Sequence, residues 1–470
     1  MSADDLIFFS AFQRDHVLLQ SSTHAVPQKG GRKFDLTHDK EEARFTVANN
    51  FYVDDCLRAE DRKDALLVNL LEVKELCKKG GFTLTKFSSP CVEVMSSIPR
   101  EWYSRSTSEF KEGSESHKTK ALGVQWDLAT DELGVRAELI SVPRTKRDLL
   151  SAIASIYDPL GILAPVLIEG RVIMQDLCRL KIAWDMELDT DTMDRIKAWA
   201  KRLSQTSGTS VPRSLKVIPW ESATLVQLHL FSDASVRALR VVAYLRVSDP
   251  WGNVSCRFIM GKARVAPLKH VSVPRLELSA AVLALRLGNT ILTMIDFRVD
   301  GVYYWTDSTT VLRYIRNDQA RYQTFVANRV SMIREGSDQK EWRYVNSGEN
   351  PADDATRSKQ SERWKKGPEF LLKGECFWPT EPAQMSDGVE GLEVKREIRP
   401  TGTRGFQIIS FRIGMDIRQT AWERLIGTVR RVLDIVLGTQ KLDYEGLCTL
   451  FCEVEATVNS RPLTVVTSDN

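Results

Sequence analysis

The sequence predicts a multidomain chain of α/β and α+β class, and three observations predict it. A short apolar stretch, Ala48 to Leu57, carries two adjacent carboxylates, Asp54 and Asp55, at a strand-to-strand turn. Farther along, strand-like runs alternate with helical ones, and acidic residues fall at strand ends and helix starts, the pattern of a mixed sheet flanked by helices. Amphipathic helices join these two regions, and a helical segment lies at the far end. The 470 residues suffice for roughly two to four domains with cores of their own.

Composition excludes several classes. Lysine and arginine number 65 against 62 acidic residues, a net charge of +3, so any nucleic-acid-binding face has to be a local patch. The 8 cysteines form no C-x-x-C pair, which suggests reduced thiols, mostly in cores. The 6 histidines show no H-x₃₋₅-H spacing, which argues against structural zinc. No signal-peptide pattern is present, and the apolar run Leu276 to Ile295 is broken by Glu277, Arg286 and Asn289. The expectation is a soluble, intracellular chain, in a cytoplasmic particle or the nucleus, without a membrane partner.

Residues 1–42, with weak periodicity and a Lys-Gly-Gly-Arg-Lys cluster, read as a weakly ordered leader. Residues 43–140 open on the paired aspartates. Carboxylates are hard oxygen ligands suited to Mg²⁺, and two of them at a strand turn are what a polymerase palm presents to the ions bound with a nucleotide. An acidic surface turn is the plain alternative. Next, Leu66, Leu70, Val73 and Cys77 recur at helical spacing until Lys78-Lys79-Gly80-Gly81 stops the helix, and Phe82 to Phe87 alternates as a strand. This block resembles the end of the reverse transcriptase palm in BEL/Pao long-terminal-repeat retrotransposons, where "FYVDDLL…GGFxLxKW" occurs. The resemblance implies a third carboxylate on an earlier strand. Asp4, Asp5 and Asp15 have no such context, so the palm reads as truncated and Asp54 and Asp55 as an incomplete Mg²⁺ site. Beyond it, Leu122–Trp126 and Val135–Leu139 flank Asp131-Glu-Leu-Gly134, a hairpin signal.

Residues 141–220 read as a helical connector. Thr145 with Asp148 three residues on forms a capping box for a helix with Leu149, Ile153 and Ile156 on one face. A second helix, Val166 to Trp184, turns Val172, Ile173, Leu177, Leu180 and Trp184 inward, and residues 185–220, with a polar helix from Asp191 to Ser204, lead into the next domain. The segment from Ser155 to Asp185 resembles the BEL/Pao stretch joining polymerase to nuclease, to which the word "peptidase" is attached. An aspartic peptidase needs an Asp-Thr/Ser-Gly loop, which the chain lacks, and Asp158 before a proline is better read as a helix-ending turn.

Residues 221–360 carry the more complete constellation. Val226, Leu228 and Leu230 alternate along a strand that ends at Asp233, which faces the other way. Two further strands follow, Val241 to Val247 and Val254 to Met260. Pro274 opens a helix with Glu277 in its first turn, the strand from Val302 ends at Asp307, and Asn350-Pro-Ala-Asp353 starts another helix after the strand Trp342 to Val345. An Asp, Glu, Asp, Asp order on such elements is the ribonuclease H arrangement, which needs four carboxylates to hold two Mg²⁺ ions for in-line displacement at phosphorus. Scattered surface acids are the alternative. The strings "LHLFSDAS", "KARVAPLKHVSVPRLELSAA", "YYWTDSTTVLRYI" and "NPADDATR" are similar to BEL/Pao strings. Through them Asp233, Glu277, Asp307 and Asp353 inherit a metal-binding, catalytic role, with the RNA strand of an RNA–DNA hybrid as substrate. One departure stands out: Ala238-Leu-Arg-Val-Val242 replaces the family's "AYGAV", and Arg240 in place of the glycine is expected to strain the second strand. Asp354 reads as a solvated neighbour.

Residues 361–419 read as a linker. Thr420 to Ile426 and Tyr444 to Val458 resemble the end of a retroviral-type integrase core, with Glu423 as the third member of its carboxylate set. Its two partners have no room upstream, and a lone glutamate holds no metal pair. The sequence reading is therefore a Pol-derived chain with ribonuclease H activity on RNA–DNA hybrids, with hybrid or template–primer as its nucleic-acid partner and other Pol or Gag chains as possible companions. The alternatives are a catalytically dead remnant that at most binds nucleic acid and, by family name only, an aspartic peptidase.

Overall fold

Four strands make up the sheet that carries Asp55 in the computed structural model. They are Val17–Ala25 (β1), Phe51–Tyr52 (β2), Asp55–Glu60 (β3) and Phe82–Ser88 (β4), antiparallel in the order β2-β3-β1-β4. The structure describes residues 17–25, 41–52, 55–60, 62–103, 118–121, 124–215, 223–295, 297–356, 362–382 and 392–398. Asp54 lies outside them, as do Glu423 and the whole integrase-like segment. Tyr52 stands opposite Asp55, so the two strands on either side of the motif pair with each other. Residues 17–25, expected in a weakly ordered leader, instead form the strand between β3 and β4. Their sequence shows no alternation, and pairing along both edges sets their conformation.

Behind this sheet lie helices Glu41–Asn49 (α1) and Lys63–Lys79 (α2). Helix α2 buries Leu66, Leu70, Val73, Leu76 and Cys77, the predicted face extended by one residue. It stops where Gly81 takes a φ of 83°, which a side chain rarely adopts. A short helix, Val92–Ser96 (α3), completes this small core with Val94 and Met95.

A second antiparallel sheet joins Lys118–Ala121 (β5), Val124–Asp127 (β6), Glu132–Gly134 (β7) and Ser210–Pro212 (β8) in that order. The predicted hairpin forms, but its turn precedes Glu132, and Val135–Leu139 makes no strand. The cause is Asp131, in the left-handed region at φ 53°. Its carboxylate accepts Trp126 Nε1 at 2.9 Å and the Arg213 fork at 2.7 Å from both nitrogens. This bidentate pair pins the turn to β8 from the far side of the connector.

Three helices form the connector. Lys146–Ala154 (α4) has the predicted capping box, with Asp148 N donating to Thr145 Oγ1 and Thr145 N to Asp148 Oδ2, both at 3.1 Å. Ala164–Arg179 (α5) buries Ile173 and Leu177 as expected. Leu180 and Trp184, expected inward, are 66% and 44% exposed, because the helix ends at Arg179 and Lys181 turns the chain with φ 55°. Thr190–Gln205 (α6) lies in the stretch expected to be a linker, yet Ile196, Trp199 and Leu203 are fully buried. Trp199 donates to Val166 O at 3.0 Å and packs on Gly170, where an added Cβ would stand 2.7 Å from the indole.

The largest sheet has the order β11-β10-β9-β12-β13. Leu225–Ala234 (β9), Ala238–Ser248 (β10) and Val254–Val265 (β11) make an antiparallel meander, and Gly301–Thr306 (β12) and Trp342–Tyr344 (β13) add in parallel. Val273–Met294 (α7) packs on β9 and β10 and is backed by Thr324–Gly336 (α9), with Thr309–Arg316 (α8) between β12 and β13 and these helices. Among the described residues α7 alone is long and apolar enough to cross a membrane, and here it is a core helix with Leu278, Ala281, Ala284 and Leu287 buried.

Connector and sheet share one core, so the expected boundary near residue 220 is not a packing boundary. The contact is too close for side chains. Gly161 has φ 71°, and a Cβ there would meet Gly261 O at 1.9 Å, while one on Gly261 would meet the Trp364 ring at 2.3 Å. Gly261 N donates to Leu160 O at 2.8 Å, and Trp364 Nε1 to Gly161 O at 3.2 Å. Trp364 lies on Glu362–Lys366 (α10), and Phe370, Leu371 and Trp378 are buried in the same core, so residues 362–382 belong to the domain and not to the expected linker. Arg246 explains how an irregular segment stays there: it donates to Leu371 O at 2.8 Å and Lys373 O at 3.0 Å. Gly161→Ala should therefore lower stability by about 2–4 kcal/mol through clash and backbone strain. A parent-like melting temperature for this variant would contradict the docking.

Candidate active site

Strands β9 and β12 run parallel, with Phe231 beside Trp305 and Ser232 beside Thr306. Continuing that register by one residue sets Asp307 next to Asp233. Both carboxylates follow aromatic residues on one sheet face: Phe231 and Trp305 stack at 5.8 Å, and His229 stacks on Tyr303 at 5.0 Å. Fully buried His229 accepts Trp305 Nε1 through Nδ1 at 3.1 Å, and burial first, then Arg246, holds it neutral. It stiffens the platform beneath the acids.

Asp353 reaches the same end of the sheet on the helix expected there, which is the 3₁₀ helix Pro351–Thr356. Asn350, fully buried, places that turn: its Nδ2 donates to Ser232 O at 3.1 Å, and its Oδ1 accepts Ala352 N at 3.1 Å. Glu277 comes from α7, one residue past the first turn. Ser308 links it to β12, donating to Glu277 Oε2 at 2.6 Å while accepting Val311 N at 3.2 Å as the cap of α8. Ser347 donates to Asp307 Oδ2 at 2.6 Å. Asn350 and Ser347 escaped the sequence reading; the Asn-Pro-Ala-Asp string was the available signal, because Asn before a turn commonly bonds its own backbone.

Burial, then Asp307, then Asp353 push the Asp233 carboxyl up to about 6 against the pull of Arg240. Asp307 is raised by burial and by Asp353, against the Ser347 hydrogen bond. Asp353 raises the proton affinity of both Asp233 and Asp307, and Asp307 that of Asp233, which marks a concentration of negative charge. Hard oxygens at that charge density suit a divalent cation by chemistry. As oriented, no three His, Cys, Asp or Glu side chains among the described residues stand close enough to hold one. Ser308, Ser347 and Arg240 each hold one of the acids instead.

Arg240 differs from expectation. It lies in regular pairing opposite Asp233, with no positive φ, so the residue that replaces glycine does not strain β10. Its side chain is 3% exposed, and Nη1 donates to Asp233 Oδ2 at 2.9 Å. Nε is buried without a hydrogen-bond partner. The missing glycine is thus felt as charge, not as backbone shape.

The other sequence candidates lie elsewhere. Asp55 opens β3 in the first sheet. Asp158 accepts Ile162 N at 2.9 Å and Leu163 N at 2.8 Å. Its carboxylate is engaged by the turn before α5, the role that its place before a proline predicts.

Sheet order, helix placement and the four acidic positions define a ribonuclease H-like domain. Residues 145–308 match the family described as "Pao retrotransposon-like RNaseH-like domain". About a third of the chain is thus similar to that Pao retrotransposon domain. The matched range starts at the cap of α4 and ends just past Asp307, taking in the connector and four of the sheet's five strands, with β13 and Asp353 beyond it. Two solved structures are similar. A foamy viral protease-reverse transcriptase in complex with double-stranded DNA has 14% identity and a TM-score of 0.36, with 63% of this chain and 45% of that one covered. Native Prototype Foamy Virus protease-reverse transcriptase has 13% identity and a TM-score of 0.19, with 72% and 45% covered. The chain thus spans less than half the length of either, and likeness this loose says nothing further about fold or substrate. No curated protein matches.

A carboxyl with a raised folded pKa stabilises the fold below its unfolded value, near 4, and that stability is lost as pH rises through about 6. Asp233→Asn removes this dependence. The stability of the variant minus that of the parent, in metal-free buffer, should increase by an amount on the order of 2 kcal/mol between pH 4 and pH 6.5. A constant difference in thermal melts at the two pH values would contradict the buried acid cluster.

Proposed function

We propose that the domain cleaves the RNA strand of RNA–DNA hybrids with the help of divalent cations, and that Asp233, Glu277, Asp307 and Asp353 are its ligands. The observation that carries this reading is the pairing of β9 with β12, which brings Asp233 and Asp307 together with Asp353 coupled to both. Mg²⁺ held there would supply hydroxide and stabilise the charge at phosphorus. Ser308 and Ser347 orient Glu277 and Asp307, and Asn350 fixes the turn that carries Asp353. Asp54 and Asp55, without an identified third carboxylate, are not assigned polymerisation. Glu423 is not assigned integration. Asp233→Asn and Asp307→Asn should each lower Mg²⁺-dependent hybrid cleavage by at least about 100-fold. Cleavage at the parent's rate in either variant would refute the assignment.

Arg240 favours a second reading, a domain that binds hybrid without cutting it. A guanidinium already bonded to Asp233 offsets part of the charge that attracts a cation. On this reading the parent is inert with hybrid and Mg²⁺, and Arg240→Gly gains a Mn²⁺-dependent rise in melting temperature that the parent lacks. An equal Mn²⁺ response in both proteins would exclude it.

A further inference from the structure

Beside the carboxylate edge, three guanidinium groups from three elements converge on a single acid. Arg179 at the end of α5, Arg195 on α6 and Arg237 in the turn between β9 and β10 donate to Asp176 at 2.8, 2.7 and 2.9 Å. Asp176 is 15% exposed, whereas the arginine side chains are 60%, 39% and 55% exposed in the same order. One negative charge cannot neutralise three positive ones. About two positive charges remain at the surface, on long side chains whose ordering against mutual repulsion is unfavourable without a further anion.

Position gives the cluster its meaning. Arg237 follows Asp233 on the same strand-and-turn, which Ser235 N closes by donating to Ala238 O at 2.8 Å. The cluster therefore lies at the end of the sheet where β9 and β12 deliver Asp233 and Asp307. Guanidinium forks pair with phosphate oxygens, and such contacts fix the register of a duplex without reading its sequence. The +3 balance of the whole chain does not attract a polyanion, so a local patch is needed.

We propose that Arg179, Arg195 and Arg237, pre-oriented by Asp176, form a clamp for the phosphate backbone of the nucleic-acid duplex presented to the nuclease edge. The connector then takes part in substrate binding as well as in packing. This inference rests on the reading of the domain as one that acts on hybrids, and binding separates the two. A fluorescent RNA–DNA hybrid is titrated with the full chain in EDTA across a salt series and followed by anisotropy. Removing one arginine–phosphate pair should reduce the slope of log affinity against log salt by roughly 0.9 and weaken binding about tenfold at 0.1 M salt. Arg237→Gln, in an exposed turn, should remove about one such pair, the Arg179→Gln/Arg195→Gln/Arg237→Gln variant about two, and Arg237→Lys close to none. Parent-like slope and affinity in Arg237→Gln overturn the clamp while leaving hybrid as the substrate. A parent that does not bind the hybrid at all overturns both.

Discussion

The parallel pairing of β12 with β9 is the constraint from which the site follows. Once Trp305 lies beside Phe231, the next alternate positions are Asp307 and Asp233, and two carboxylates separated by a long stretch of chain become neighbours. Parallel pairing requires a crossover, and α7 supplies it, carrying Glu277 to the same edge on the way. The stacked and edge-on rings of His229, Phe231, Trp305 and Trp378 hold the pairing from beneath, each ring pair worth about 0.5–1.5 kcal/mol beyond burial. A sheet this firmly packed can keep like charges close at its rim.

The same edge shows how one substitution changes a site without changing a fold. Glycine and arginine suit an antiparallel strand almost equally when φ is negative, and the pairing of β10 is regular through Arg240. What changes is the electrostatic environment, since a guanidinium enters the space where a cation would be attracted and satisfies Asp233 in its place. The fold therefore does not decide whether this carboxylate edge takes up a cation. The balance between one buried arginine and the cations in solution does.

The connector also changes character in three dimensions. Its helices do not span a gap: Gly161 and Gly261 let two backbones meet, Trp364 seals the junction, and Trp199 locks α6 on α5. Asp176 on α5 consequently faces Arg237 at the end of the sheet, and the arginine cluster is assembled from both parts.

Local chemistry written in neighbouring residues was legible from the sequence. The capping box at Thr145, the antiparallel strands on either side of the aspartate motif, the meander and the identity of Asp233 and Asp307 as strand-end acids all follow from short-range pattern, because a few consecutive residues carry each signal. Other features depended on partners far away in the chain. The β1 strand inside the first sheet, the hairpin turn drawn forward by Arg213, the burial of Trp199 and Trp378, the exposure of Leu180 and Trp184, and the role of Asn350 and Arg240 are fixed by long-range contacts. Residue types and periodicity determined which elements form and which acids they carry; only tertiary packing decided which of those acids meet and which cationic side chain meets them, since hydrogen bonds and Coulomb forces act over ångströms in space and not along the sequence.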